Sequence, residues 1–391
     1  MPSRLFTATL RRWHLGLALG AVALLAACGG GGGAEAGRLS VRLTDSQGCS
    51  YKQVFVTVER VRVHRSATAA DDDGGWQELL LSPTLRVDLM TLRNGVFEEL
   101  GTLPLDAGDY SQVRLVLGSN GASAPFANQL TRADDSVVAL STPSGQQSGL
   151  KLNLHVTIQP GQLAELVLDF DPCKSVVKAG NSGNYNLKPV ITAFAEPVND
   201  IEGHTLAGAV VSAQQNGSSL KSTVAGSDGR FVLWPVAAGS YDLVITADGR
   251  ANAVLSGVTV TSGTTVVSAA GTPLVPAASG SFRNVSGSVA TGATEIDAAV
   301  SALQLLSGGT AIEAAATPVD ALTGAYAFSL PTAAPGKADW VAGTLSYSFS
   351  ADAPVAGLYS VRATAVGFPA AKEAAVNLGA ADATGVDFVF P

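Results

Sequence analysis

The sequence predicts an all-β chain, built as tandem antiparallel β-sandwiches behind a flexible tether, and three observations predict it. Hydrophobic residues make up 47% of the chain and charged residues only 14%, with Gly, Ala, Ser, Thr and Val abundant, as in exported strand-rich proteins. Period-two alternation runs through most of Leu39 to Phe194, the spacing of half-buried strands. A twelve-residue frame containing a glycine turn and a tyrosine occurs twice in the second half, the mark of a repeated module.

The N-terminus carries Arg4, Arg11 and Arg12, then an apolar run from Leu15 to Ala27 of 13 residues. That is too short to span a bilayer and has the layout of a secretory signal, residues 1–27. Leu25-Ala26-Ala27-Cys28 resembles the lipobox of bacterial lipoproteins, and the resemblance implies that Cys28 becomes the acylated first residue. Gly29 follows, where an Asp would signal retention, so the family's sorting pattern implies the outer membrane, at its periplasmic face or at the cell surface. Residues 28–37, with Gly29 to Gly33, form a glycine-rich coil that lets a folded body stand clear of the lipid.

The first domain is expected over 38–200. In LKLNLHVTI, residues Leu150, Leu152, Leu154, Val156 and Ile158 alternate with Lys151, Asn153, His155 and Thr157, a strand with one face in a core. RLSVRLT at 38–44 and LRVDL at 85–89 alternate in the same way. In VFVTVERVRV the apolar set Val54, Val56, Val58 gives way to Val61 and Val63, so a β-bulge near Glu59 and Arg60 is needed to keep one inward face. Further strands are expected near 76–81, 96–103, 111–117, 163–170 and 185–194, about ten in all.

Beyond residue 200 aromatics thin out and the repeat begins. AGSYDLVITADG at 238–249 and AGLYSVRATAVG at 356–367 share Ala-Gly-x-Tyr-x-aliphatic-x-x-Thr-Ala-x-Gly. Gly229, Phe231 and Leu233 match Gly324, Tyr326 and Phe328, and LAGAVVS near 206 is aligned with VSGSVAT near 285. Gly249 to Val258 and Gly367 to Val376 are equally spaced. The copies differ by an insert between Gly324 and Tyr359 that holds Trp340 and TLSYSFSA. Two β-modules follow, 205–275 and 281–391, with GTPLVPAASG between them as a linker. The frame is a turn feeding a strand, with the tyrosine ring buried and its hydroxyl returned to the backbone.

DGRFVLWPVAAGSYDLVITADGR resembles the carboxypeptidase regulatory-like family, which implies a prealbumin-type sandwich, without a conserved catalytic residue, used for carbohydrate or protein contacts. The second copy is similar, with Thr323-Gly324 in place of the Asp-Gly pair. LSVRLTDS, LDAGDYSQVRLVL, LKLNL and NLKPVITA resemble a domain of unknown function recurrent in bacterial lipoproteins, which implies location and fold but no mechanism.

No chemistry is legible in the motifs. Past the signal only His64, His155 and His204 remain, none in a zinc-protease spacing, and no nucleophile elbow, P-loop or dinucleotide fingerprint occurs. Catalytic residues, metal ligands and cofactors are therefore expected to be none. Asp71-Asp72-Asp73 reads as a solvated loop, since an EF-hand frame there would put Ala69 and Leu80 at ligand positions. Trp76, Trp234 and Trp340 are core rings by default, with Trp340 the candidate for stacking on a sugar. Cys49 and Cys173, an even pair once Cys28 is acylated, are expected to form one disulfide in the oxidising envelope. The charge of −8 becomes more negative on loss of the signal's arginines, which argues against nucleic acid. The expected function is a non-catalytic lipid-anchored binding or structural protein of the outer membrane, its partners the membrane and a polysaccharide or envelope protein. The alternatives are carbohydrate binding through the distal modules and an unrecognised hydrolase in the first domain.

Overall fold

The structure is a computed structural model describing residues 36–45, 51–142, 148–195 and 199–391. The signal, Cys28, all of the tether but its last two residues, and Cys49 lie outside the described residues. Within them the chain is nearly all β, gathered around three large hydrophobic cores, with a small fourth cluster of Val244, Val254, Leu306 and Ile312.

The first body contains β1 (Gly37–Asp45), β2 (Gln53–His64), β3 (Gln77–Asp88), β4 (Glu98–Leu105), β5 (Gly108–Leu117) and β6 (Gln129–Thr131). It continues with β7 (Val137–Ser141), β8 (Leu150–Ile158), β9 (Leu163–Phe170), a one-turn helix α1 (Pro172–Ser175), β10 (Val176–Ala179), β11 (Asn184–Leu187) and β12 (Ile191–Phe194). Gly37, placed in the tether by composition, already belongs to β1. One sheet runs β12-β9-β1-β4, and the facing sheet runs β10-β11-β7-β6-β2-β5-β8 with β3 also on β2. The alternation of β8 is realised, with Lys151, Asn153, His155 and Thr157 all exposed. The bulge in β2 falls between Val58 and Arg60, and the five valines on either side of it are all fully buried. Not every pair is antiparallel: β1 runs parallel to β9 and β11 parallel to β7.

The second body contains β13 (Asn199–His204), β14 (Val210–Gln215), β15 (Ser218–Val224), β16 (Arg230–Val236), β17 (Gly239–Thr246), β18 (Ala253–Val260) and β19 (Thr264–Val266). After it come β20 (Phe282–Ala290), β21 (Ala298–Leu305), β22 (Ala311–Pro318), β23 (Ala325–Pro331), β24 (Gly336–Asp339), β25 (Ser350–Ala351), β26 (Leu358–Ala365), β27 (Phe368–Asn377) and β28 (Phe388–Val389). The repeat is visible in the pairing: β16-β13-β19 corresponds to β23-β20-β28, and β15-β14-β17-β18 to β22-β21-β26-β27. Tyr241 pairs with Val258 and Tyr359 with Val376, so the equal spacing seen in the sequence is strand register.

Three expectations are corrected. VSGSV at 285–289 corresponds to Ile201–Thr205 and not to LAGAVVS: Gly203 faces Phe231 and Gly287 faces Tyr326, while Gly208 lies in a turn with φ +78°. The supposed linker is pinned to the second body, with Leu274 fully buried and its N–H bonded to the His204 carbonyl at 2.8 Å. The insert does not remain with its own module, because β24 pairs in parallel with β18 and extends the second body's sheet to β15-β14-β17-β18-β24-β25. TLSYSFSA contributes only Ser350 and Ala351 to a strand.

The frame tyrosines act as the sequence suggests. Tyr110, in Ala107-Gly108-Asp109-Tyr110, which carries the same turn-to-strand device as the frame, donates from Oη to the Asp106 carbonyl at 3.2 Å, and Tyr241 Oη donates to that of Ala237 at 2.9 Å, each four residues back. Tyr359 Oη instead reaches the Pro331 carbonyl at 2.8 Å, 28 residues back, and so closes the base of the insert.

Candidate functional site

The three most deeply buried charged residues among those described, Asp45, Asp169 and Lys221, gather where the first and second bodies meet. The pattern of β15, SSLKSTV, is inverted: Leu220 is 47% exposed while Lys221 is 3% exposed, because the inward side of this strand faces the acids of the first body. Lys221 Nζ lies 2.6 Å from Asp169 Oδ1 and 3.0 Å from the Asp45 carbonyl. The parallel register of β1 and β9, with Asp45 beside Phe170, brings both acids to one end of the sheet. Asp169 is as buried as its lysine. Asp45 is 1% exposed, and neither carboxyl oxygen has a hydrogen-bond partner among the described residues. Burial pushes the Asp45 carboxyl well above the usual carboxylate range, with Lys221 opposing the shift.

A second cluster lies beside it. Asp171 caps α1, its Oδ1 accepting from Lys174 N at 3.0 Å, and its other oxygen lies 3.3 Å from Lys174 Nζ. Burial works against the charge of Lys174, but Asp171 and Glu313 outweigh it and hold its pKa above the ordinary lysine value. Burial raises the Glu313 carboxyl, with Lys174 opposing. Gln214 fixes the Glu313 backbone through Nε2 to the carbonyl at 2.8 Å and N–H to Oε1 at 2.7 Å. Among the clefts that border this cluster, one of about 260 Å³ has Asp169, Lys174, Leu220, Lys221 and Tyr241 in its wall, and another, about 470 Å³, has Lys174, Lys188, Glu313 and Arg362.

Each pair of bodies is joined by specific bonds. Asn94 of the first body donates from Nδ2 to the Val224 carbonyl at 3.0 Å and accepts at Oδ1 from Val232 N and Thr223 Oγ1. Phe97 packs against Trp234, ring centroids 5.5 Å apart, with the Arg42 guanidinium 4.7 Å from the Phe97 centroid. Both Asp320 oxygens accept from Gly180 N at 3.0 Å. Desolvation opposes the Asp320 charge, and the N–H groups of Thr323, Leu322 and Gly180 outweigh it, holding the carboxyl below its ordinary value. Between the second and third bodies, Asn252 Nδ2 donates to Gln304 Oε1 at 2.9 Å. The arrangement fixes the bodies against one another through buried polar groups that are costly to separate.

The residues singled out from sequence fall as follows. Cys173 lies within α1 and is a bonded rather than a free thiol; its expected partner Cys49 is outside the described residues. Trp340 is half-buried and packs against the second core with Tyr347 and Phe349. Trp76 is held between the guanidinium groups of Arg62 and Arg114, 4.5 and 4.7 Å from its ring, and its Nε1 donates to the Ala70 carbonyl at 3.0 Å. The acidic loop is tied in place, since Asp71 Oδ1 meets both guanidinium groups at 2.7 Å and Asp73 accepts from Ala70 N. His64 Nε2 is bonded to the Gly74 carbonyl, and exposed His155 stands 3.5 Å from Asp109 and lines neither cleft. Sequence reasoning missed Lys221, Asp45 and Glu313. The one available signal was a lysine set among serines and threonines in a strand.

Comparison with known proteins gives two family matches. Residues 36–189 match the family described as a domain of unknown function, DUF4382, and residues 198–272 match the carboxypeptidase regulatory-like domain. Neither is a known catalytic domain, and the second fits a non-catalytic binding or structural module. No curated protein matches the chain. Among solved structures, the chain is similar to an N-terminal interface mutant of a type II cohesin–X-dockerin complex from Acetivibrio cellulolyticus at 24% identity and TM-score 0.19. That match covers 21% of this chain and 58% of the other, so little more than half of the other chain's length is spanned. It is also similar to BcpA, the major pilin subunit of Bacillus cereus, at 10% identity and TM-score 0.16, covering 91% and 99% of the two chains. Scores this low show no shared overall arrangement.

Proposed function

We propose that the chain is a non-catalytic protein of the bacterial envelope, anchored by lipid at Cys28 to the outer membrane and serving as a rigid structural or binding component. The observation that carries this reading is the insert of the third body completing a sheet of the second, with Trp340 N bonded to the Ser256 carbonyl at 2.9 Å. A shared sheet resists relative motion of its parts, which suits a spacer or a docking platform. The buried polar junction with the first body extends that rigidity toward the anchor. The reading also pairs Cys49 with Cys173, a bridge worth up to about 4.7 kcal/mol for a loop on the order of a hundred residues.

The test is fractionation of cells expressing the full chain and its Cys28→Ala variant, with metabolic labelling by a fatty-acid analogue. The native chain is expected in the outer-membrane fraction carrying label, and the variant unlabelled and released. An unlabelled native chain, or a variant that stays in the membrane after alkaline washing, overturns the proposal.

A further inference from the structure

We propose that Lys221 and Asp169 condense to an intramolecular amide, joining β15 of the second body covalently to β9 of the first. The two groups are already in contact, Nζ to Oδ1 at 2.6 Å, and each side chain is 3% exposed. A nitrogen held that close to one carboxyl oxygen stands within roughly 3–3.5 Å of the carboxyl carbon, the range of a near-attack arrangement. The Asp45 carbonyl, 3.0 Å from Nζ, restrains the amine on its other side. The aligned strands β1 and β9 hold Asp45 and Asp169 on one rigid sheet.

The reaction requires the uncharged amine and carboxylic acid. Taking an ammonium and a carboxylate out of water is costly for both, and passage of one proton from Nζ to Asp169 across their 2.6 Å contact supplies both uncharged forms at once. A third group completes the site. Asp45 is buried, has no hydrogen-bond partner among the described residues and is electrostatically coupled to both Lys221 and Asp169. Burial raises its pKa above the usual carboxylate range, with Lys221 opposing, which favours the protonated form. A buried acid with no hydrogen-bond partner among the described residues is expensive, and a proton-carrying role gives it a use that an ordinary salt bridge does not.

The step balances without oxidant or cofactor. The lone pair of neutral Nζ attacks Cγ of the protonated Asp169 carboxyl, forming the N–C bond. Asp45 gives its proton to the departing hydroxyl as the Cγ–O bond breaks, and takes one back from nitrogen. One ammonium and one carboxylate become one amide and one water. Loss of two buried charges favours the product, the bordering cleft gives the released water a way out, and the fixed geometry supplies the effective concentration that free amine and acid lack.

The test is mass spectrometry of the purified full chain after reduction, with peptide mapping. The expected result is one linked pair of peptides, one containing Lys221 and the other Asp169, lighter by one water than their sum. An Asp45→Asn variant that keeps the native circular dichroism is expected to yield the two peptides unlinked. Fully unlinked peptides from the native chain overturn the proposal, and linkage in Asp45→Asn at the native level overturns the part assigned to Asp45. Because the readout is a side-chain amide between the first and second bodies, it stands apart from whether Cys28 is acylated.

Discussion

Replacing Gly229 by alanine isolates one structural cause of the repeat. Gly229 and Gly249 both have left-handed backbones, φ +78° and +69°, so alanine at either carries the same strain, about 1–2 kcal/mol. Only at Gly229 is there an obstacle: a Cβ there would lie 2.3 Å from the Thr205 carbonyl oxygen, a backbone atom, whereas at Gly249 nothing lies within 4 Å. The end of β13 would have to move and break the bond from Thr205 N to the Gly229 carbonyl, 2.9 Å long. Thr205 is buried, and an unsatisfied buried donor costs about 1–3 kcal/mol. Gly229→Ala is therefore expected to lose about 2–5 kcal/mol against about 1–2 for Gly249→Ala. Urea unfolding of the Cys28→Ala background, followed by the fluorescence of Trp234 and Trp340, measures both. Equal losses, or a larger loss at Gly249, would refute the reasoning.

The other predictions concern the junction. Asn94→Ala removes three side-chain hydrogen bonds to the second body, each worth about 1 kcal/mol net; it should lower stability by about 3 kcal/mol and shift Trp234 emission to the red as its contact with Phe97 loosens. Unchanged emission would mean that Asn94 does not hold the two bodies together. Asp45 gives a pH dependence whose sign follows from burial. Its folded pKa lies above the ordinary carboxylate value of 3.8, so the folded state binds the proton more tightly, and stability falls as pH rises from that value through the raised one. Asp45→Asn removes this component, so the melting temperature of the variant should depend less steeply on pH over that range than that of the native chain. A difference that stays constant across that range would show that Asp45 titrates normally.

What the sequence made legible was local. Alternation in β8 and the slip in β2 depend on neighbours two residues apart, and the chain states them directly. The frame tyrosines were readable for the same reason in Tyr110 and Tyr241, whose acceptors lie four residues back. Tyr359 was readable only as a buried ring, because its acceptor lies across the insert.

The junction was hidden by a different physics. Alternation sorts residues by water, and it assumes that the inner side of a strand is apolar. At β15 the inner side is another body's carboxylates, so lysine goes in and leucine comes out. The insert fails in the same way: nothing within residues 336–351 specifies β18 as the partner of β24, since a parallel pairing between modules is set by where the two sandwiches come to rest. The misaligned glycines show the limit most sharply. Gly208 and Gly287 look alike in sequence, yet one serves a turn with positive φ, while the other lies in a strand where a Cβ would meet the Val386 carbonyl at 2.0 Å. One position needs glycine for its backbone angles and the other for want of space. A Gly287→Ala substitution would meet a backbone oxygen, whereas at Gly203, its true counterpart, a Cβ would stand 2.7 Å from side-chain atoms of Phe231 and Ser268. Equivalence between the modules is thus set by strand register, Gly203 opposite Phe231 and Gly287 opposite Tyr326, and both positions are crowded, though by different atoms.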